Sequence, residues 1–145
     1  IDKQTLDSIY IKSLNSCFDL FLSSGTIFFE PNEQTERIKK NFEHTNYAFW
    51  TSDELFKYAY KHGKTLRLFR ITHKQISNDT IDINLSNLTL NVKKGIFFKG
   101  GLHFRNENIS LDCGGTNENV PDFRFAYDKI NNTWILTGGR RKYPE

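Results

Sequence analysis

The sequence predicts an α+β protein in which N-terminal helices pack on an antiparallel sheet of about four to six strands. Apolar residues recur at spacings of three and four before residue 63, and they alternate with polar residues after it. The chain shows no βαβ rhythm and no internal repeat, which argues against a parallel sheet. Its 145 residues fit a single domain, with a helical part at 1–63 and a sheet part at 64–139.

Three helices are predicted in the first part of the chain. The first covers residues 4–22, where one apolar stripe is made by Leu6, Ile9, Tyr10, Leu14, Cys17, Phe18 and Phe21. The second, shorter and more exposed, covers residues 32–42. The third follows the capping box of Thr51 and Glu54, and Gly63 is placed to end it in the left-handed conformation.

The strands after Gly63 are predicted with two irregularities. Within 65–76 the apolar set shifts from Leu66 and Leu68 to Phe69 and Ile71, which indicates a bulge. After a turn at 77–79, the apolar parity of the next strand reverses around residues 86–87. This reversal predicts a second bulge or a strand break.

The remaining strands are shorter. Residues 96–104 form a strand interrupted by Gly100 and Gly101, and residues 109–113 form another. Phe123, Phe125 and Tyr127 then alternate, a turn follows at 131–132, and Trp134 and Leu136 alternate back. This pattern predicts a hairpin at the end of the sheet part.

The charge pattern does not indicate a nucleic-acid partner. The chain has 20 Lys and Arg against 17 Asp and Glu, a net charge of +3. The dense basic run at 140–142 is typical of a solvated tail, whereas nucleic-acid binders gather their cations on one face. A nucleic-acid binder that uses aromatic and basic residues of the sheet is therefore a weaker hypothesis than a protein-binding or ligand-binding protein or a small enzyme.

The sequence also predicts a soluble chain without a transmembrane segment, because no apolar run reaches the roughly 18 residues that span a bilayer. The chain begins at Ile1 and contains no Met, so we expect that an N-terminal piece has been removed. This predicts an exported or periplasmic protein, while a cytoplasmic location stays open. The oligomeric state is not indicated.

No metal or cofactor site is predicted. Cys17 and Cys113 lack CxxC or Cys/His spacing, and the histidines are scattered. The glycine pairs lack the spacing of a phosphate-binding loop. A disulfide between Cys17 and Cys113 and two buried thiols are both open alternatives.

Two stretches suggest a known architecture. Residues 123–137 (Phe-Arg-Phe-Ala-Tyr-Asp-Lys-Ile-Asn-Asn-Thr-Trp-Ile-Leu-Thr) and the N-terminal helices leading to Gln34–Ile38 together resemble the cystatin-like fold of the nuclear-transport-factor-2-like superfamily. The second stretch is similar to small exported bacterial proteins of unknown function. The resemblance implies a sheet curled into a cone around the first helix, an architecture that hosts enzymes, binding modules and inhibitors.

Enzymes of that superfamily place an acid or base inside the open end of the cone. The resemblance implies His103, Asp112, Asp82 and Tyr127 as candidates by their strand positions. The residues beside them favour ordinary roles: His103 and Asp112 alternate with apolar neighbours as solvent-facing residues do, and Tyr127 shares the core face of Phe123 and Phe125. No catalytic residue is therefore assigned.

Binding residues are more readily proposed. Phe49 and Trp50 precede the third helix either as a hydrophobic staple or as an exposed anchor for a partner. A basic sheet face suited to an acidic protein or an anionic ligand is predicted from Arg67, Arg70, Arg105 and Arg124. The candidate binding residues are Trp50, Arg67, His103, Arg105, Asp112 and Arg124.

The leading hypothesis is a non-enzymatic binding protein of an exported bacterial type. It recognises another protein, as an immunity or inhibitor protein does, or a small ligand, through the sheet face and its loops. The alternative is a small cofactor-free lyase, isomerase or hydrolase with a pocket in the cone.

Overall fold

The structure, a computed structural model, describes residues 1–17, 25–62, 65–92, 96–98, 101–103, 109–113 and 120–141, and only the backbone at 92–113. The helices are α1 (Lys3–Asn15), α2 (Glu33–Ile38), a 3₁₀ helix (Lys39–Phe42) and α3 (Ser52–His62). The strands are β1 (Ile27–Phe29), β2 (Tyr47–Ala48), β3 (Thr65–Ser77), β4 (Thr80–Val92), β5 (Ile96–Phe98), β6 (Gly101–His103), β7 (Ile109–Cys113), β8 (Phe123–Asp128) and β9 (Thr133–Gly138).

Side-chain caps fix where the first two helices begin. Asp2 Oδ1 accepts a hydrogen bond from the backbone N–H of Thr5 at 2.7 Å, at the start of α1. Asn32 and Thr35 form a reciprocal capping box at the start of α2. The second predicted helix is therefore present, although its last turn is 3₁₀ rather than α-helical. α1 ends at Asn15 with its C-cap at Ser16, so the prediction of one helix over 4–22 is wrong at residues 16–17, and residues 18–22 lie outside the described residues.

The predicted capping box of α3 is confirmed. The N–H of Glu54 donates to Thr51 Oγ1 at 3.2 Å, and the N–H of Thr51 donates to Glu54 Oε1 at 3.2 Å. Two backbone donors that have no partner within the helix are thereby satisfied. Gly63, the predicted end of this helix, lies outside the described residues.

The α+β class is confirmed, and the main sheet is mixed rather than antiparallel. Its strands follow the order β2-β1-β3-β4-β8-β9, with β7 also paired to β4, while β5 and β6 form a separate pair. β1 runs parallel to both β2 and β3. The residues between β1 and β3 include α2 and α3, which supply the crossover that a parallel pair needs. The part predicted as purely helical therefore also contributes two short strands.

The two predicted irregularities in β3 and β4 are wrong. The strands pair without interruption from Thr65 opposite Asn91 to Gln75 opposite Ile81, and the register shifts only after Gln75. The apolar parity reverses because the two halves of this hairpin bury opposite faces of the sheet.

Each half of the hairpin belongs to a different hydrophobic cluster. The α3 cluster is formed by Phe28, Ala48, Leu55, Ala59, Leu66, Leu68, Leu88 and Leu90. The α1 cluster is formed by Ile9, Tyr10, Leu14, Cys17, Phe29, Ile38, Phe42, Tyr47, Ile71, Ile81, Ile83, Leu85, Phe123 and Phe125. Burying apolar area on both faces stabilises a sheet that would otherwise leave half of each strand exposed.

The predicted hairpin of β8 and β9 is confirmed. Phe123 and Phe125 are fully buried, and Trp134 and Leu136 pack against the α1 cluster. The turn contains Asn132 at φ +51°, a left-handed conformation that asparagine tolerates better than most residues.

Three further predictions concern the protein as a whole. Cys17 is buried in the α1 cluster, whereas the side chain of Cys113 lies outside the described residues, so their pairing stays a prediction. Within the described ranges, no helix is both long enough and apolar enough to cross a membrane. In the same ranges, His, Cys, Asp and Glu side chains do not gather in groups of three that would ligate a metal.

Candidate functional site

The sheet face that α3 covers at one end continues as a polar surface at the other. Along β3, β4 and β8, cross-strand partners share one face, so side chains two residues apart line up on it. We call this surface the open face: Arg70, Thr72, Lys74, Asp82, Asn84, Ser86 and Arg124. Thr72, Lys74 and Arg124 are exposed on it, which makes it accessible to a partner.

An arginine and an aspartate in adjacent strands form the central ion pair of the open face. Arg124 Nε donates to Asp82 Oδ1 at 2.7 Å, and Arg124 Nη2 donates to Asp82 Oδ2 at 2.9 Å. These bonds raise the pKa of Arg124 above its ordinary value. The Asp82 side chain is 9% exposed while that of Arg124 is 46% exposed, so the carboxylate acts as a buried anchor for an accessible guanidinium.

A second arginine of the open face is held in the same way. Arg70 Nη2 donates to Glu30 Oε1 at 2.9 Å, and both side chains are partly buried. Glu30 directly follows β1, so this ion pair also ties β1 to β3. The open face thus presents guanidinium groups that neighbouring carboxylates already hold in place.

A groove lies beside Arg124, where β9 leaves the sheet. We call it the arginine groove: it has a volume of about 590 Å³ and is lined by Val120, Pro121, Arg124, Thr137, Gly138, Gly139 and Arg140. Two arginines, one hydroxyl and an apolar wall therefore face the same space. Such a combination of apolar walls with a few placed polar groups is typical of ligand sites.

The carboxylate of Asp122 lies behind this groove and is fully buried. It accepts hydrogen bonds from the N–H of Leu85 at 2.6 Å, from Arg140 Nε at 2.5 Å and from Arg141 Nε at 3.0 Å. The backbone N–H of Asp122 donates to Asn84 Oδ1 at 3.2 Å. One aspartate thus joins β4 to the segment after β9.

The position of Asp122 explains how one edge of β4 can pair with two different strands without leaving a backbone donor unsatisfied between them. β8 pairs with β4 at residues 80–83, and β7 pairs with it at residues 88–92. The N–H of Leu85 lies between these two ladders, and Asp122 satisfies it. A buried N–H without a partner would cost about 1 to 3 kcal/mol.

The sequence prediction of a solvated basic tail is wrong for Arg140 and Arg141. Their side chains are 41% and 22% exposed, because both bind the buried Asp122. Both were missed as site residues because their partner lies 18 and 19 positions earlier in the sequence, and no local spacing indicates it. Lys142 lies outside the described residues.

Trp50 packs against the protein. Its ring lies edge-on to Phe28 and Tyr58, with centroids 4.9 and 5.3 Å away, and it is partly buried on the α3 cluster that contains Leu55. This packing favours the staple interpretation over that of an exposed anchor. Phe49 stacks on Phe29 at 4.8 Å in the neighbouring cluster.

The structure separates the arginines that the sequence placed together. Arg67 is exposed on β3, but its odd position puts it on the opposite face from Arg70 and Arg124. Arg105 lies outside the described residues. Only Arg70 and Arg124 of the predicted basic face are therefore placed on the open face.

The predicted acid and base candidates are not brought together by the described contacts. His103 ends β6 opposite Ile96, and Asp112 lies on β7 opposite Thr89, but their side chains are outside the description. The Tyr127 hydroxyl donates to Asn132 Oδ1 at 3.0 Å on the exposed hairpin. A catalytic role for these residues stays a prediction.

A tyrosine and a histidine form a hydrogen-bonded pair between α1 and β3. The Tyr10 hydroxyl lies 2.8 Å from His73 Nδ1, and Tyr10 is only 2% exposed. Burial, with a smaller contribution from the charge of Asp7, raises the pKa of Tyr10, and burial lowers the pKa of His73. His73, which is exposed on β3, thus satisfies the hydroxyl of the buried phenol and ties β3 to α1.

The His73 pair predicts a loss of stability in mild acid. The folded pKa of His73 lies below the unfolded value of about 6.5, so the unfolded protein binds the proton first. Below about pH 6.5 we therefore expect the free energy of unfolding to decrease more in the wild-type protein than in His73→Gln. Urea denaturation from about pH 7.5 to 5.5 measures this difference.

A matched control is His44→Gln, which removes an exposed histidine in a turn. It should follow the wild-type pH dependence. An unchanged pH dependence in His73→Gln would contradict the prediction.

Comparisons of the sequence and the structure with protein-family models, with curated proteins and with solved structures find no match. The open face and the arginine groove are therefore the features from which function is inferred.

Proposed function

We propose that this protein is a non-enzymatic binding protein that recognises another protein through the open face and the adjoining arginine groove. The observation that supports the proposal is that accessible guanidinium groups on this surface are anchored by buried carboxylates. Inhibitor and immunity proteins are one class that fits a chain of 145 residues in which the sequence indicates no catalytic motif. We also propose that the sheet curls around α1 as a cystatin-like cone. The open face, which lies opposite the α1 cluster, is then the outer face of that cone.

Anchored charges suit recognition better than mobile ones. Fixing a long side chain on binding costs about 0.5 to 1.5 kcal/mol, and Arg124 is already fixed by its two bonds to Asp82. Placed charges also select a partner of complementary charge and reject others. The open face therefore offers specificity with little ordering on association.

The chemistry of the groove favours binding over catalysis. Its ionisable lining groups among the described residues are Arg124 and Arg140. A guanidinium stays protonated at physiological pH, so it neither accepts nor releases a proton as a general acid or base does. The alternative of a cofactor-free enzyme requires other groups, such as His103 and Asp112, to converge in a pocket.

The test is to capture the partner from the native host with the tagged protein and to measure its affinity for purified variants by calorimetry. Lys74→Glu reverses an exposed charge on the open face, and Lys57→Glu makes the same change on the exposed side of α3. We expect Lys74→Glu to weaken binding roughly tenfold and Lys57→Glu to leave it unchanged. Equal affinities for the two variants would refute recognition through the open face.

A further inference from the structure

We propose that the arginine groove binds a carboxylate of the protein partner, either that of an acidic side chain or that of a free C-terminus. This inference rests on the proposed function in one respect, namely that the carboxylate belongs to a protein.

Both arginines of the groove are positioned before any ligand arrives. Asp82 holds Arg124 through Nε and Nη2, and Asp122 holds Arg140 through Nε. Their side chains nevertheless remain 46% and 41% exposed. Since a guanidinium has five N–H donors, both groups retain donors beyond those given to their aspartates.

The balance of charge around the groove favours a single negative charge. Within the described ion-pair network of the groove, Arg124, Arg140 and Arg141 are offset by Asp82 and Asp122, which leaves one net positive charge in that network. A carboxylate carries one negative charge and matches the planar guanidinium through paired hydrogen bonds. A phosphate dianion would leave a net negative charge beside two buried aspartates.

The remaining walls suit a residue of a polypeptide. Val120 is 42% exposed and lies with Pro121 along the groove, which gives an aliphatic side chain a surface to cover. Thr137 is exposed on the same groove, and its hydroxyl donates to the backbone oxygen of Arg124 at 3.2 Å, which fixes this wall to β8. An amino acid with a carboxylate and an aliphatic neighbour fits both halves of this site.

Gly138 allows the groove to be filled without removing a charge. It lies opposite Arg124 in the β8–β9 ladder, at the register shift between Arg124 and Phe125, and it lines the groove. A Cβ placed there meets no atom of the described residues within 4 Å. Valine suits a strand, so Gly138→Val is expected to fold and to occupy the groove.

The experiment is an NMR titration of the ¹⁵N-labelled 145-residue chain, following the Nε–H signals of Arg124 and Arg140. Four probes are compared: acetyl-Gly-Glu-Val-amide, acetyl-Gly-Val-Leu with a free C-terminus, acetyl-Gly-Gln-Val-amide and inorganic phosphate. The first carries only a side-chain carboxylate and the second only a terminal one. Whichever of these binds more tightly identifies the source of the carboxylate.

We expect at least one of the two carboxylate peptides to shift both signals, with a dissociation constant of about 1 mM. The neutral peptide should leave them unchanged, and phosphate should bind more weakly. Gly138→Val should weaken the peptide roughly tenfold, whereas Lys129→Gln, which removes an exposed cation outside the groove, should not. If Gly138→Val alters the amide spectrum, Arg140→Gln replaces it, because Asp122 keeps Arg141 and the Leu85 N–H.

Three results would overturn the inference: equal shifts with the neutral peptide, tighter binding of phosphate than of both carboxylate peptides, or unchanged affinity in the groove variant. If no peptide binds while Lys74→Glu still loses the captured partner, the carboxylate site is wrong and the proposed function stands. If a peptide binds but Lys74→Glu and Lys57→Glu bind the partner equally, the carboxylate site stands and recognition through the open face is wrong.

Discussion

Asp122→Ala is expected to lower the free energy of unfolding by about 3 to 5 kcal/mol, the largest effect of any exchange near the groove. The substitution removes the acceptor of the Leu85 N–H, which is buried between two ladders of β4. It also removes the partner that Arg140 and Arg141 share. Bonds to charged groups contribute about 1.5 to 3 kcal/mol each, so losing several at once accounts for the size of the effect.

Urea denaturation monitored by tryptophan fluorescence measures this loss. Asp79→Ala is the matched control, because the Asp79 carboxylate is exposed and lies 3.9 Å from Lys129. Exposed ion pairs contribute at most about 1 kcal/mol, so this control should be close to wild type. A loss for Asp122→Ala no larger than that of the control would show that the buried carboxylate does not join the strands.

Gly139→Ala is expected to destabilise the protein by about 3 kcal/mol, the second large effect. Gly139 has φ +111°, a conformation that residues with a side chain rarely adopt. An added Cβ would also lie 2.4 Å from the carbonyl oxygen of Asp122 and 2.7 Å from the Cα of Phe123. Because both obstacles are backbone atoms, the strand itself has to move.

The neighbouring residue provides the control for this exchange. Gly138 has open space at its Cβ position, so Gly138→Ala should change the free energy of unfolding by about 0.5 kcal/mol or less. Thermal denaturation of both variants tests the pair. Similar midpoints for Gly138→Ala and Gly139→Ala would contradict the strain assigned to Gly139.

The sequence predicted correctly those helices and strands whose signals lie within a few consecutive residues. The capping box of Thr51 and Glu54 located α3, and the alternation around Phe125 and Trp134 located the last hairpin. β1 and β2 were missed because strands of three and two residues are too short to show a period. The parity reversal in β4 was misinterpreted because one sequence does not show which face each half of a strand buries.

Of the two arginines in the arginine groove, Arg124 could be predicted from the sequence and Arg140 could not. Arg124 lies within a clear strand, and alternation places it on the face opposite Phe123 and Phe125. Arg140 follows the last strand in a basic run, and its binding to Asp122 depends on how the backbone after β9 runs back along Pro121 and Asp122. Long-range ion pairs of this kind have no local sequence pattern, so their residues resemble an ordinary solvated terminus.

The hairpin of β3 and β4 also has a consequence for how the protein unfolds. Its uninterrupted ladder supplies strands to the α3 cluster at one end and to the α1 cluster at the other. Separating the strands at either end exposes apolar surface and removes the hydrogen bonds on which the neighbouring pairs depend. We therefore expect the two clusters to unfold as one cooperative unit, because the hairpin connects the packing beneath α3 to the strands that support the arginine groove.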